Sequence, residues 1–170
     1  MSADDELVAA AAAGSPAATG ALFDTYWLVA WRAAHAVTGR ADLADDAAQD
    51  AFVKAMQSLG KFEQGRPFAP WIARIAVNRA RDLLRSERRR PTARLDEDAA
   101  EARPPGGAAQ LLAAIAALPN DRREAVVLHH VLGFTVGEVA EIVDAPEGTV
   151  ASRLGRGIAQ LRQTMEAEHA

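Results

Sequence analysis

Arg74, Asn78, Arg81, Arg85 and Arg88 recur at spacings of four, three, four and three residues. On a helix that spacing forms one continuous stripe, and a stripe of guanidinium groups can neutralise a phosphate backbone. Just before it, Lys61, Phe62 and Arg66 put an aromatic ring beside cations in a loop, a combination suited to unstacked single-stranded bases. The plainer alternative is a solvated basic helix, with Arg88, Arg89 and Arg90 ending it favourably against its dipole. Phe68, Trp71, Ile72, Ile75 and Leu83 occupy the other side of the stripe, and Trp71 is expected to pack in the core.

Two other stripes differ in character. Asp46, Gln49, Asp50 and Val53 share a narrow arc of a helix, while Ala48, Phe52, Ala55, Met56 and Leu59 face the opposite way. Carboxylates repel phosphates, so the acidic stripe suits a basic protein partner or is simply a soluble face. Near the end of the chain Val150, Leu154, Ile158 and Leu161 form an apolar seam, and Gly148, Thr149, Ser152, Arg153, Arg156 and Gln160 lie across from it. Small residues at a helix start let backbone approach phosphate, and hydroxyls and arginines reach base edges in a major groove. This face belongs either to a helix-turn-helix or to an ordinary helical hairpin.

Catalytic chemistry finds little to work with. His129 and His130 are adjacent, so a helix turns them about 100° apart and they do not converge on a metal. The chain has no cysteine. No glycine-rich loop follows a strand, and Asp45 and Asp46 lack a convergent base. No catalytic residue, metal site or cofactor is expected, and the chain is not read as an enzyme.

The elements that must carry these stripes are helices. Of the 170 residues 49% are apolar, much of that alanine, and 5% are aromatic, a composition that favours helix over strand. Ser15 followed by Pro16 predicts a helix over 16–39, Asp42 is expected to cap a helix reaching about 60, and a third is expected over about 67–89. Further on, a helix is predicted over 119–133. Thr135 and Glu138 form a capping box, with Phe134 and Val139 as its hydrophobic staple. A turn at Asp144-Ala145 then leads to a last helix over about 146–165, the layout of a helix-turn-helix. Residues 91–108 are polar and rich in proline and glycine, a linker composition. The predicted fold is therefore all-α: two small helical domains, 1–90 and 109–170, joined by a flexible linker over 91–108, the second domain a helix-turn-helix.

Charge follows the same division. The net formal charge is −4, distributed as −5 over 1–60, +6 over 61–90, −2 over 91–108 and −3 over 109–170. A basic segment behind an acidic one implies surfaces with different partners. The start of the chain is acidic where a signal peptide is basic, and no apolar run approaches the ~18 residues of a membrane span. A cytoplasmic protein without membrane insertion is expected.

Three runs carry a resemblance. Asp46-Ala47-Ala48-Gln49-Asp50-Ala51-Phe52, then Trp71-Ile72-Ala73-Arg74-Ile75-Ala76-Val77-Asn78 with Asp82 and Arg85, then Glu147-Gly148-Thr149-Val150-Ala151-Ser152-Arg153-Leu154 are similar, in order and spacing, to the extracytoplasmic-function group of sigma-70-type sigma factors. The resemblance covers about residues 16–90 and 109–164. It implies an alternative sigma factor whose partners are core RNA polymerase, promoter DNA and an anti-sigma factor. Residue by residue, it implicates Asp46, Gln49 and Asp50 in core polymerase binding. It implicates Lys61, Phe62, Arg66, Arg74, Asn78, Arg81 and Arg85 at the −10 element, and Glu147, Gly148, Thr149, Ser152, Arg153 and Arg156 at the −35 element. Three positions depart from the family's habit. Ala151 stands where lysine is usual, Gly157 where alanine is frequent, and Pro70 where a hydroxyl residue is common. With residues 109–170 net acidic, −35 binding is expected to depend on polymerase. A stand-alone helix-turn-helix regulator is the competing reading, and it leaves the first two stripes without a role.

Overall fold

A computed structural model of the chain describes residues 3–90 and 106–169. Among these every regular element is helical, and they fall into two compact units, Met1–Leu84 and Arg85–Ala170. Most of the segment read as a linker, 91–105, lies outside the described residues.

The first unit begins with a helix that the sequence reading passed over, α1 (Ala3–Ala12). Asp4, Asp5 and Glu6 occupy its first turn, where the helix dipole favours anions. It stops at Gly14, whose φ of 92° allows the two closing bonds, Gly14 N to Ala11 O at 2.9 Å and Ser15 N to Ala10 O at 3.0 Å. α2 (Pro16–Thr38) starts as expected: Ser15 Oγ accepts from Ala18 N, Pro16 takes the first helical position, and Gly39 closes the end in the left-handed region.

α3 (Ala41–Ser58) corrects one expectation. Asp42 does not cap it. Arg40 is the capping residue, its carbonyl already accepting from Ala44 N at 3.0 Å, so Asp42 lies inside the first turn and accepts from the Arg40 guanidinium at 2.6 Å. That hydrogen bond holds the Asp42 carboxyl below its ordinary pKa. Leu22, Ala30, Ala33, Ala34 and Val37 of α2 are buried, as are Leu43, Ala44, Ala47, Ala48, Ala51, Phe52 and Ala55 of α3. Alanine supplies both high helix propensity and small side chains where these helices meet.

A short 3-10 turn (Leu59–Lys61) ends α3, and a loop leads to α4 (Phe68–Arg88). Phe68, Ile72, Ala73, Ala76, Val77 and Ala80 give α4 its buried face. Phe68 is fully buried, with the Tyr26 ring at 4.9 Å and the Trp71 ring at 5.5 Å. Burying a side chain of that size stabilises a fold by about 2–3 kcal/mol.

The second unit contains α5 (Gly107–Ala116), α6 (Asn120–Val126), α7 (Val136–Val143) and α8 (Glu147–His169). α5 takes in the last residues of the predicted linker and was not anticipated as a helix. Arg123 of α6 ties its end down, donating to Ala116 O, Leu118 O and Asn120 Oδ1; burial lowers its pKa from the ordinary value. α6 widens into a π turn over Val127–Val131. His129 Nδ1 lies 2.6 Å from Phe134 O, so it must be the protonated ring nitrogen and donate there, closing the loop into α7. The capping box is present in both directions, Glu138 N to Thr135 Oγ1 at 3.2 Å and Thr135 N to Glu138 Oε2 at 2.8 Å, and Phe134 and Val139 are both buried. Asp144 takes the turn between α7 and α8 with φ of 55°. Leu128, Phe134, Val139, Ile142, Val150, Leu154 and Leu161 form the core around that turn.

Candidate functional site

On α3 the acidic stripe is a surface. Asp46, Gln49, Asp50 and Val53 are exposed, and the side chains turned away from them are buried. Val53, the apolar member of the stripe, is 59% exposed among these carboxylates. Asp50 is also bound within the unit: its Oδ2 accepts from Arg79 Nε of α4 at 2.7 Å. Arg79 lies outside the basic stripe. It lies one position beyond Asn78 and turns toward α3, and nothing local in the sequence signals that pairing. Asp45, next to the stripe, accepts from Trp31 Nε1 at 2.6 Å, and His35 stacks on Trp31 at 4.8 Å.

α4 carries the opposite sign. Arg74, Asn78, Arg85 and Arg88 are exposed and Arg81 is half-buried, while Trp71, Ile75 and Leu83 line the seam between that face and the core. The loop before α4 holds Lys61 and Arg66 at the surface, Arg66 with Glu63 at 3.7 Å. Phe62 is a correction. Its ring is not displayed on the loop but is 9% exposed, edge-on to Trp71 at 4.9 Å and 5.8 Å from Phe68. The loop closes over these apolar neighbours because only its inner side offers the ring a place out of water. Gly65, at φ 86°, makes the turn, and its N–H donates to Asp5 Oδ1 of α1 at 3.0 Å.

In the second unit α8 follows the turn after α7. Glu147, Gly148, Ser152 and Arg156 are exposed, Thr149 and Arg153 half-buried, and Val150, Leu154 and Leu161 buried. Two polar residues of the outward face are already held by α6. Arg153 Nε lies 3.5 Å from Asp121 Oδ2, and Gln160 Oε1 accepts from Arg122 Nη1 at 2.8 Å. The Glu147 carboxylate lies against the first turn of α7, where a Cβ on Gly137 would be 3.2 Å from Oε1. Nothing local in the sequence signals the roles of Asp121 and Arg122, which depend on how α6 lies against α8. Among the described residues no group of three His, Asp or Glu side chains converges to hold a metal, and no helix is long and apolar enough to cross a membrane.

The arrangement is thus a carboxylate face on α3, a guanidinium face on α4, and a helix-turn-helix formed by α7 and α8. Comparisons with known proteins give it a context. The family model described as Sigma-70 region 2 matches residues 22–90, and that described as Sigma-70, region 4 matches residues 108–161. ECF RNA polymerase sigma factor SigM of Mycobacterium tuberculosis is 34% identical over 168 residues, covering 95% of this chain and 84% of SigM. The ECF RNA polymerase sigma-E factor of Escherichia coli K12 is 36% identical over 130 residues, covering 65% of this chain and 68% of sigma-E. Among solved structures, CnrH in complex with the cytosolic domain of CnrY superposes with a TM-score of 0.73 at 31% identity, covering 98% of this chain and 99% of that one. The sigma factor RpoE of Bartonella quintana, solved with the anti-sigma factor NepR, gives 0.68 at 22% identity over 85% of this chain and 94% of that one, a likeness of fold.

Proposed function

The chain belongs to the extracytoplasmic-function group of the sigma-70 family, and from that membership we propose which of its surfaces does what. It is an alternative RNA polymerase sigma factor: it binds core polymerase, recognises −10 and −35 promoter elements and initiates transcription. Sigma factors are initiation factors rather than enzymes, and we infer no catalytic activity of this chain's own.

Residues 1–90 take the core-binding and −10 roles, 91–108 the linker, and 109–170 the −35 role. Asp46, Gln49 and Asp50 meet a basic surface of core polymerase. Lys61, Arg66, Arg74, Asn78, Arg81 and Arg85 follow the displaced non-template strand, and Phe62 contributes by holding their loop. Glu147, Gly148, Thr149, Ser152, Arg153 and Arg156 face the −35 element. The observation that carries this division is the reversal of charge between the exposed faces of α3 and α4. One helix repels the DNA that the other attracts, so the two cannot serve the same ligand. A stand-alone helix-turn-helix regulator has no use for either face. A factor that acts on core polymerase has to meet it in the cytoplasm, and that is the location proposed for this chain. An anti-sigma factor is the expected restraint, a reading supported by the chain's likeness to CnrH, which was solved bound to the cytosolic domain of another protein.

The test is reconstitution. Purified protein added to core polymerase on a genomic promoter library is expected to produce transcripts from a small set of promoters sharing −10 and −35 sequences. Transcription no different from core enzyme alone would refute the reading.

A further inference from the structure

The loop between α3 and α4 is fixed at three places. Its first residue, Phe62, is buried against Trp71, and Phe68 at the other end is fully buried. Between them Glu63, Gln64, Gly65, Arg66 and Pro67 are all exposed. The third fixed point is Gly65, whose N–H is held by the Asp5 carboxylate from an element sixty residues away. Asp5 is itself firmly placed. α1 buries Val8 and Ala11, touches α2 and the 3-10 turn, and its Asp4 accepts a hydrogen bond from the Tyr26 hydroxyl of α2. Burial and that bond both raise the Tyr26 pKa, which keeps the hydroxyl protonated as the donor. Tyr26 in turn packs on Phe68, the residue that opens α4.

We propose that Asp5 is a positioning residue for −10 recognition: its carboxylate fixes the loop backbone at Gly65 and so the directions in which Lys61, Gln64 and Arg66 meet the non-template strand. This rests on the function proposed above. A carboxylate beside a strand of phosphates otherwise only weakens binding. Charge and geometry therefore make opposite demands at this position, and that separates them experimentally. Asp5→Asn and Asp5→Ala remove the same charge, but asparagine keeps an acceptor oxygen for the Gly65 amide and alanine does not.

Two measurements on the full-length chain decide the matter. Amide exchange at Gly65 in the free protein is expected to be slow in the wild type and Asp5→Asn, and about tenfold faster in Asp5→Ala. In holoenzyme, both variants are expected to bind a single-stranded −10 oligonucleotide somewhat more tightly. Only Asp5→Ala should lose discrimination between matched and mismatched −10 sequences, on the order of threefold, with core affinity unchanged in all three proteins. Equal discrimination by the two variants, or a Gly65 amide indifferent to Asp5→Ala, would overturn the proposal. A wild-type holoenzyme with no −10 preference would instead overturn the function it rests on, leaving the exchange result to judge the clamp alone.

Discussion

Phe62, Phe68 and Trp71 stand within 6 Å of one another ring to ring, and Phe62 shows how a side chain of recognised type can do a different job. An aromatic ring next to Lys61 and Arg66 suits base stacking, but the inward side of its loop is the apolar end of α4. Phe62→Ala is therefore expected to lower stability by about 3 kcal/mol, whereas Phe62→Leu should keep most of the melting temperature and most −10 binding. A thermal melt with a parallel oligonucleotide titration checks this; unchanged stability of the alanine variant with loss of stacking would return the ring to the DNA. At this scale the sequence shows which way a helical side chain faces. Asp46, Gln49 and Asp50 are exposed and Phe52 is buried, as periodicity requires. It does not show what a long side chain reaches. The pairs Asp50 with Arg79 and Arg153 with Asp121 depend on how separate helices lie side by side, a property of no local pattern.

The helices were legible where a cap or proline marks them. Ser15-Pro16 and Thr135 with Glu138 start α2 and α7 as read. α1 and α5 escape the sequence pattern because their markers are subtle: an acidic first turn and a closing Gly14 for α1, a start inside a glycine-rich linker for α5. The departure at Gly157 now has a cause. It is buried on α8, and a Cβ there would lie 2.8 Å from Val126 Cγ2 of α6, so glycine is what lets these two helices close. Gly157→Ala should destabilise the second unit by about 1 kcal/mol or more, the overpacking outweighing the gain in helix propensity. Adding Val126→Ala should relieve part of that loss. A double-mutant cycle by denaturant unfolding reads the coupling, and additive effects would mean that α6 and α8 do not meet at this point.

At the scale of the whole chain, the net charge of −4 says less than its distribution. An acidic α3 and a basic α4 are expected to act in sequence: the first recruits core enzyme, the second holds the strand that opens. That order is tested most directly by comparing Asp46→Arg and Asp50→Arg with the double variant Arg74→Ala, Arg81→Ala in one experiment, scoring core polymerase binding and open-complex formation across a salt series. The carboxylate reversals are predicted to lose core binding with little change in melting temperature, since an exposed pair such as Asp50 with Arg79 contributes at most about 1 kcal/mol. The arginine double variant is predicted to bind core normally but open promoters poorly, with a log–log salt slope shallower by about 1.4 for two lost phosphate contacts to single-stranded DNA. Undiminished core binding by both reversals, or normal opening at raised salt without the two arginines, would contradict the division of labour between the two helices.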